Sequence, residues 1–198
     1  MSQNLITALR YTVVTTILFG IVYPLAVTVC GQVLFHDKAN GQLIYQQDQL
    51  VGSRLIGQTF SSPGYFHSRP SAAGTGYDAA NSSGSNYGPT NKKLIDRITS
   101  DSAAAQTDHP GADIPVDLIT TSASGLDPDI TPAAAEFQVA RIAHERHLEE
   151  SSVRQLVTKH TLGRQFGFLG EPRVNVLELN LELNKIAPTP VASKDDTK

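Results

Sequence analysis

The chain has 198 residues, with 16 Lys plus Arg against 19 Asp plus Glu and a formal net charge of −3. Nucleic-acid binding is disfavoured, because phosphate recognition uses clustered Lys and Arg, and no such cluster occurs. The only cysteine is Cys30, so an internal disulfide is excluded and cysteine usage assigns no compartment.

Residues 1–10 read as a short N-terminal segment, and residues 11–35 follow as an apolar run without Asp, Glu, Lys, Arg or His. As a helix this run would be roughly 37 Å long, enough to cross a hydrocarbon core of about 30 Å with some tilt. A cleaved signal peptide has a shorter apolar stretch, of about 7 to 15 residues, and a small-residue cleavage site, whereas this run ends in Leu34, Phe35 and His36. Val29 before Cys30 does not fit a lipid-modified signal, which needs a small residue there. The run therefore reads as a transmembrane helix in contact with the lipid bilayer. Pro24 sits mid-run and removes a backbone donor. With Gly20 and Gly31 it marks candidate positions for packing against other membrane helices, a solitary anchor being the simpler alternative. Arg10 lies before the run and Lys38 after it, so the count of basic residues does not choose an orientation.

Beyond residue 35 lie all 19 acidic residues and 15 of the 16 Lys plus Arg, in a stretch of single-domain length, 36–186. Residues 42–45, 50–51 and 55–60 are short, glycine-punctuated apolar pieces and predict strands. Residues 61–91 are rich in Ser, Gly, Asn and Ala, and form either a flexible linker or an ordered loop; Tyr65, Phe66, Tyr77 and Tyr87 favour the ordered alternative. Thr90 predicts a cap for a helix over 91–105 with Leu94, Ile95 and Ile98 on its apolar stripe. Residues 115–121 suit a short strand or a buried loop. Thr131-Pro132 starts a helix predicted to run to His147. Ser152 and Gln155 have the spacing of a capping box ahead of Val153, Leu156 and Val157, and Gly163 is the expected stop. Residues 174–186 fit both periods, with leucine content and length favouring helix. Residues 187–198 read as a flexible tail. The resulting fold class is α+β: one N-terminal transmembrane helix, then a mixed domain with a small sheet and three to four helices.

No catalytic residue and no metal ligand emerges from motif spacing. A P-loop is absent, and Gly74, Gly76 and Ala79 match a loose dinucleotide pattern without the strand before it or the apolar helix after it. His144 and His147 stand three apart, whereas a zinc-binding H-E-x-x-H helix needs four. No G-x-S-x-G elbow occurs. A membrane-anchored extracytoplasmic hydrolase and a generic binding module stay open as alternatives.

Five segments in order carry a family resemblance: GSRLIGQTF at 52–60, GYFHSRPSA at 64–72, GSNYGPTN at 84–91, DLITTSASGLDP at 117–128 and GEPRVNVLELNL at 170–181. Over nearly its whole length the chain resembles the KdpC family, the small C subunit of the potassium-transporting Kdp ATPase. It departs at Tyr87, where the family often has Leu, at Thr121, where it often has Ala, and in a longer tail after Ile186. The resemblance implies a single-pass subunit of the cytoplasmic membrane, N-terminus inside and main domain outside, partnered by KdpA and KdpB and also by KdpF. It implies no catalysis by this chain, which lacks the D-K-T-G phosphorylation motif of a P-type ATPase. It further implies a catalytic-chaperone role that raises the ATP affinity of KdpB. ATP enters only by this resemblance, through Ser152 and Gln155 in a stretch similar to a nucleotide-sensing signature loop. Two physical arguments oppose direct contact: the spacing already predicts a helix cap, and ATP would lie across the membrane. Indirect coupling through the conformation of the pump is the alternative. Arg69, Asn86, Asn91 and Asp127, in the polar blocks, are the candidate partner-binding residues.

Overall fold

The apolar run forms a nearly continuous helix in the computed structural model, which describes residues 2–188. Helix α1 (Ser2–Ile17) passes through a π-helical turn (Leu18–Val22) into α2 (Tyr23–Leu34). The span Gln3–Leu34 covers 32 residues, and none of its most apolar window is buried within the chain. It therefore starts earlier than residue 11, because Leu5, Ile6, Ala8 and Leu9 extend the helix-forming apolar sequence past Arg10. Two threonine hydroxyls are satisfied inside the helix: Thr15 donates to the Tyr11 carbonyl at 2.8 Å and Thr28 to that of Pro24 at 2.8 Å. This removes free polar groups from a lipid-facing surface. Helix α3 (His36–Ala39) and strands β1 (Leu43–Gln46) and β2 (Gln49–Ser53) follow, the strands forming a two-stranded sheet.

Contacts divide the chain into a unit up to Val51 and a second unit from Gly52 onward. The second contains α4 (Lys92–Asp108), β3 (Asp129–Ile130), α5 (Pro132–Phe137), α6 (Val139–Arg146), α7 (Glu150–His160), β4 (Thr161–Leu162), β5 (Arg173–Asn175) and α8 (Val176–Ile186). Its sheet has antiparallel order β3-β5-β4, with Val174 opposite both Ile130 and Thr161. Phe66, Val139, Ile142, Val153, Leu179 and Leu183 build the core over this sheet. The α+β expectation holds.

Several local expectations change. Residues 55–60 form no strand, because Ser53 ends β2 in a turn: its Oγ accepts from the Leu55 N–H at 3.0 Å. Residues 115–121 fold as a 3₁₀ turn (Val116–Leu118) that leaves Val116 exposed. The cap of α4 is Asn91, not Thr90, its side chain accepting from Lys93 N–H at 2.9 Å. The helix begun at Pro132 breaks at Gln138, whose side chain is drawn into the core. The capping box at Ser152 and Gln155 does not form: α7 starts three residues sooner, Glu149 is its cap residue without a side-chain bond, and both predicted members are exposed on the helix. Its end is set by β4 pairing with β5, ahead of Gly163. Segment 174–186 resolves its double periodicity by being both, β5 first and then α8. The predicted tail falls, from residue 189, outside the described residues.

Segment 61–91 is an ordered loop whose backbone bonds largely to side chains. Asn180, 1% exposed in the middle of α8, accepts from Phe66 N–H at 2.9 Å and donates to Phe66 C=O at 2.9 Å. Gln138 does the same for His67, at 2.7 and 3.1 Å. Arg146 donates to the Gly64 carbonyl at 2.7 Å and lies 4.5 Å over the Tyr65 ring. Each amide supplies the donor and acceptor that a neighbouring strand would. Replacing Asn180 by Leu leaves both Phe66 backbone groups buried and unpaired, and should lower the stability of the full chain in detergent by about 3 kcal/mol or more. Chemical denaturation monitored by circular dichroism checks this; an unchanged midpoint would remove the clamp from the account.

Candidate functional site

The polar loops converge on Arg69. Its Nη1 donates to Asp127 Oδ2 at 3.1 Å, its Nε to the Thr120 carbonyl at 3.3 Å, and its Nη2 to Thr120 Oγ1 and the Thr121 carbonyl, both at 3.4 Å. Tyr77 donates its hydroxyl to the Arg69 carbonyl, and Asp127 Oδ1 accepts from Asp129 N–H at 3.1 Å. One guanidinium thus ties three distant stretches, 68–77, 120–121 and 127–129. Gly57 closes the arrangement: its N–H bonds to the Leu126 carbonyl at 2.8 Å, and a Cβ there would fall 2.5 Å from the Asp127 carbonyl oxygen and 2.7 Å from the Tyr77 ring. No side chain fits without displacing backbone.

Beside this junction lies an open groove of about 600 Å³, lined by Leu55, Ile56, Arg69, Leu126 and Asp127 among others. Leu55 and Ile56 are 52% and 38% exposed and form an apolar lip beside the ion pair. The groove thus sets exposed apolar side chains beside a hydrogen-bonded ion pair, and protein interfaces likewise combine apolar and polar surface. The structure therefore brings Arg69 and Asp127 together. Asn86 is exposed with a left-handed φ of 52°, and Asn91 is occupied as the α4 cap; no described hydrogen bond joins either to the Arg69 cluster. Ser152 and Gln155 are exposed on α7, whose first turn carries Glu150, an unfavourable charge for a phosphate at that helix end. Gly20, Pro24 and Gly31 lie on the long apolar helix, the first two exposed and Gly31 half-buried.

Sequence reasoning missed Asn180, Gln138, Arg146 and Thr120. Asn180 had a visible signal, a lone amide within the run of leucines at 177, 179, 181 and 183. The others had none, because their partners lie far away in the chain.

A second groove, of about 380 Å³, is lined by His67, Asp108, Phe137 and Arg141. Burial, and secondarily the Arg141 guanidinium, hold the His67 pKa below its ordinary value of 6.5. Burial also lowers the pKa of Arg141 and raises those of Tyr77 and Asp129. The His67 ring Nε2 faces the Ser62 carbonyl at 3.0 Å, a structural contact with no nucleophile in it. Among the described residues no group of three or more His, Cys, Asp or Glu is placed to hold a metal ion.

Comparison with known proteins bears directly on this arrangement. The family model described as "KdpC: K+-transporting ATPase, c chain" matches residues 5–185. A protein of Koribacter versatilis named "Potassium-transporting ATPase KdpC subunit" is 63% identical over 190 residues, covering 96% of this chain and 98% of its own. Proteins of the same name from Acidobacterium capsulatum and Caulobacter vibrioides are 55% and 53% identical, covering 93% and 91% of this chain and 99% and 92% of their own.

The lowered pKa of His67 sets a sign for pH dependence. The unfolded chain takes up a proton near pH 6.5 while the folded chain resists it, so the stabilisation present above that pH is lost as pH falls toward the folded pKa. His160, also lowered by burial, acts in the same direction. The thermal midpoint of the full chain should drop between pH 7.5 and 5.5, and His67→Gln should flatten that slope. An equally steep slope in the variant would assign the effect elsewhere.

Proposed function

The chain belongs to the KdpC family, and from that premise we propose that it is a non-catalytic accessory subunit of a potassium-uptake ATPase, assembling with KdpA, KdpB and KdpF. The observation that carries this is the extent of the family match, residues 5–185, which takes in both the apolar helix and the polar domain. In this reading the N-terminus is cytoplasmic, the helix lies in the cytoplasmic membrane, and the domain from residue 36 onward lies outside. The groove beside Arg69 and Asp127, with Asn86 and Asn91 on the neighbouring loop, is the docking face for the external side of KdpA.

The ion pair and the α4 cap assign internal work to Arg69, Asp127 and Asn91, so alanine at those sites disturbs the loops as well as a partner. Leu55, Ile56 and Asn86 are the cleaner probes, because their side chains are exposed. The triple variant Leu55→Asp, Ile56→Asp, Asn86→Ala should keep the thermal midpoint of the isolated chain while reducing its recovery with affinity-tagged KdpA in mild detergent by roughly tenfold or more. Undiminished recovery would reject the groove as the docking face.

The effect on ATP affinity operates by linkage. If the subunit binds one conformation of the pump more tightly, and that conformation binds ATP more tightly, the two affinities are coupled without contact. Ser152 and Gln155 are exposed and capping neither end of α7, so changing them leaves the fold intact. In the assembled complex Gln155→Ala should leave the KM for ATP within about twofold, whereas omission of the subunit should raise it. A rise on Gln155→Ala comparable to omission would replace linkage by direct contact.

A further inference from the structure

Between β4 and β5 the chain leaves the domain as a hairpin, residues 163–171. Gln165 N–H donates to the Leu169 carbonyl at 2.8 Å and Leu169 N–H to that of Gln165 at 2.9 Å, closing the stem. Below it Arg164 Nη2 pairs with Glu171 Oε2 at 2.7 Å. The tip holds Phe166 and Phe168, 87% and 70% exposed, with Leu169 beside them at 47%. Phe166 has φ 53° and Gly167 φ 83°. A bulky aromatic residue in the left-handed region is a genuine outlier, of the strained kind that clusters at sites of function.

Neither packing nor local bonding within the domain explains two outward phenyl rings at the apex of a tightly closed turn. Folding alone would favour a polar residue at this apex, and grouped exposed apolar side chains mark interaction surfaces. We propose that this hairpin is a docking anchor whose Phe166 and Phe168 rings seat in an apolar pocket on another subunit of the same pump. Three observations favour a protein pocket over the lipid bilayer. The turn is preorganised by the two-way Gln165–Leu169 bonds and the Arg164–Glu171 pair, which lowers the ordering cost of filling a shaped cavity and is of no use in fluid lipid. The stem charges cancel each other, and the residues beyond position 35 carry an excess of acid, so nothing draws the tip to an anionic leaflet. The chain belongs to a family of complex subunits, which supplies a partner at fixed stoichiometry. The inference rests on the subunit reading above and adds a second, separate point of attachment.

A photoreactive benzoylphenylalanine at position 166 tests it in the intact complex within native membranes, with the same group at exposed Val116 as control. Irradiation should join this chain to another pump subunit from position 166, in at least tenfold greater yield than from 116. Adducts with lipid alone, or none above the control, overturn the anchor. Co-purification of the unirradiated chain with the pump is scored on the same samples: its absence defeats the subunit reading, whereas co-purification without cross-linking defeats only the anchor. In parallel, Phe166→Asp with Phe168→Asp should weaken retention in the complex about tenfold or more at an unchanged thermal midpoint; full retention overturns the proposal.

Discussion

The domain depends on two side-chain amides performing the work of a missing strand. Segment 61–91 is too poor in apolar residues to fold by burial, and it has no sheet neighbour to satisfy its peptide groups. Asn180 and Gln138 each give one donor and one acceptor to consecutive residues, Phe66 and His67. Because both amides are nearly fully buried, the alternative to these bonds is unpaired polar groups in the core, far costlier than the bonds are favourable. Phe66, with no exposed surface, is thereby locked into the core.

From that fixed point the polar surface follows. Arg146 continues the clamp to Gly64, and Arg141 bonds the carbonyls of Pro63 and Tyr65. Two residues beyond the clamped His67, the Arg69 guanidinium gathers Thr120, Thr121 and Asp127, so the 120–128 loop is positioned by a side chain whose own backbone is already held. Loops made rigid in this way can present a defined face without regular secondary structure. The same logic gives His67 structural work: its backbone is a junction held by Gln138, and its ring faces the Ser62 carbonyl.

Elements whose cause is local were legible in the sequence. The apolar run, the Thr131-Pro132 helix start and the α+β class each need only neighbouring residues, and the five ordered blocks carried the family. Boundaries set by distant partners were not. Gln138 breaks a helix that periodicity extended to His147, because its amide is needed by His67, 71 positions away. α7 starts ahead of the Ser152 spacing, and β4 takes over the end assigned to Gly163 because β5 offers it a ladder. At the candidate groove, Arg69 and Asp127 were found as polar residues in distinctive blocks, but their mutual pairing, across 58 positions, belongs to the fold. That pairing gives both side chains work inside the domain, and Leu55 and Ile56 are the exposed apolar residues of the groove.

The membrane helix separates its small residues in the same way. A proline within a helix clashes with the carbonyl four residues earlier, and for Pro24 that residue is Gly20. Gly20 stands at the centre of the π-helical turn Leu18–Val22, which widens the backbone just ahead of α2. Its flexibility therefore has a use inside the chain, and the pair Gly20 and Pro24 is one local device. Gly31 has no such explanation. A Cβ there would meet only the Ala39 Cβ, at an ordinary 4.0 Å, so the chain itself has room for alanine, which favours the helix by about 1 kcal/mol over glycine. On an apolar helix of membrane-spanning length, a small residue of this kind lowers the steric barrier to close helix approach. Of the three small or helix-breaking positions, Gly31 is the one that no turn or close contact among the described residues requires.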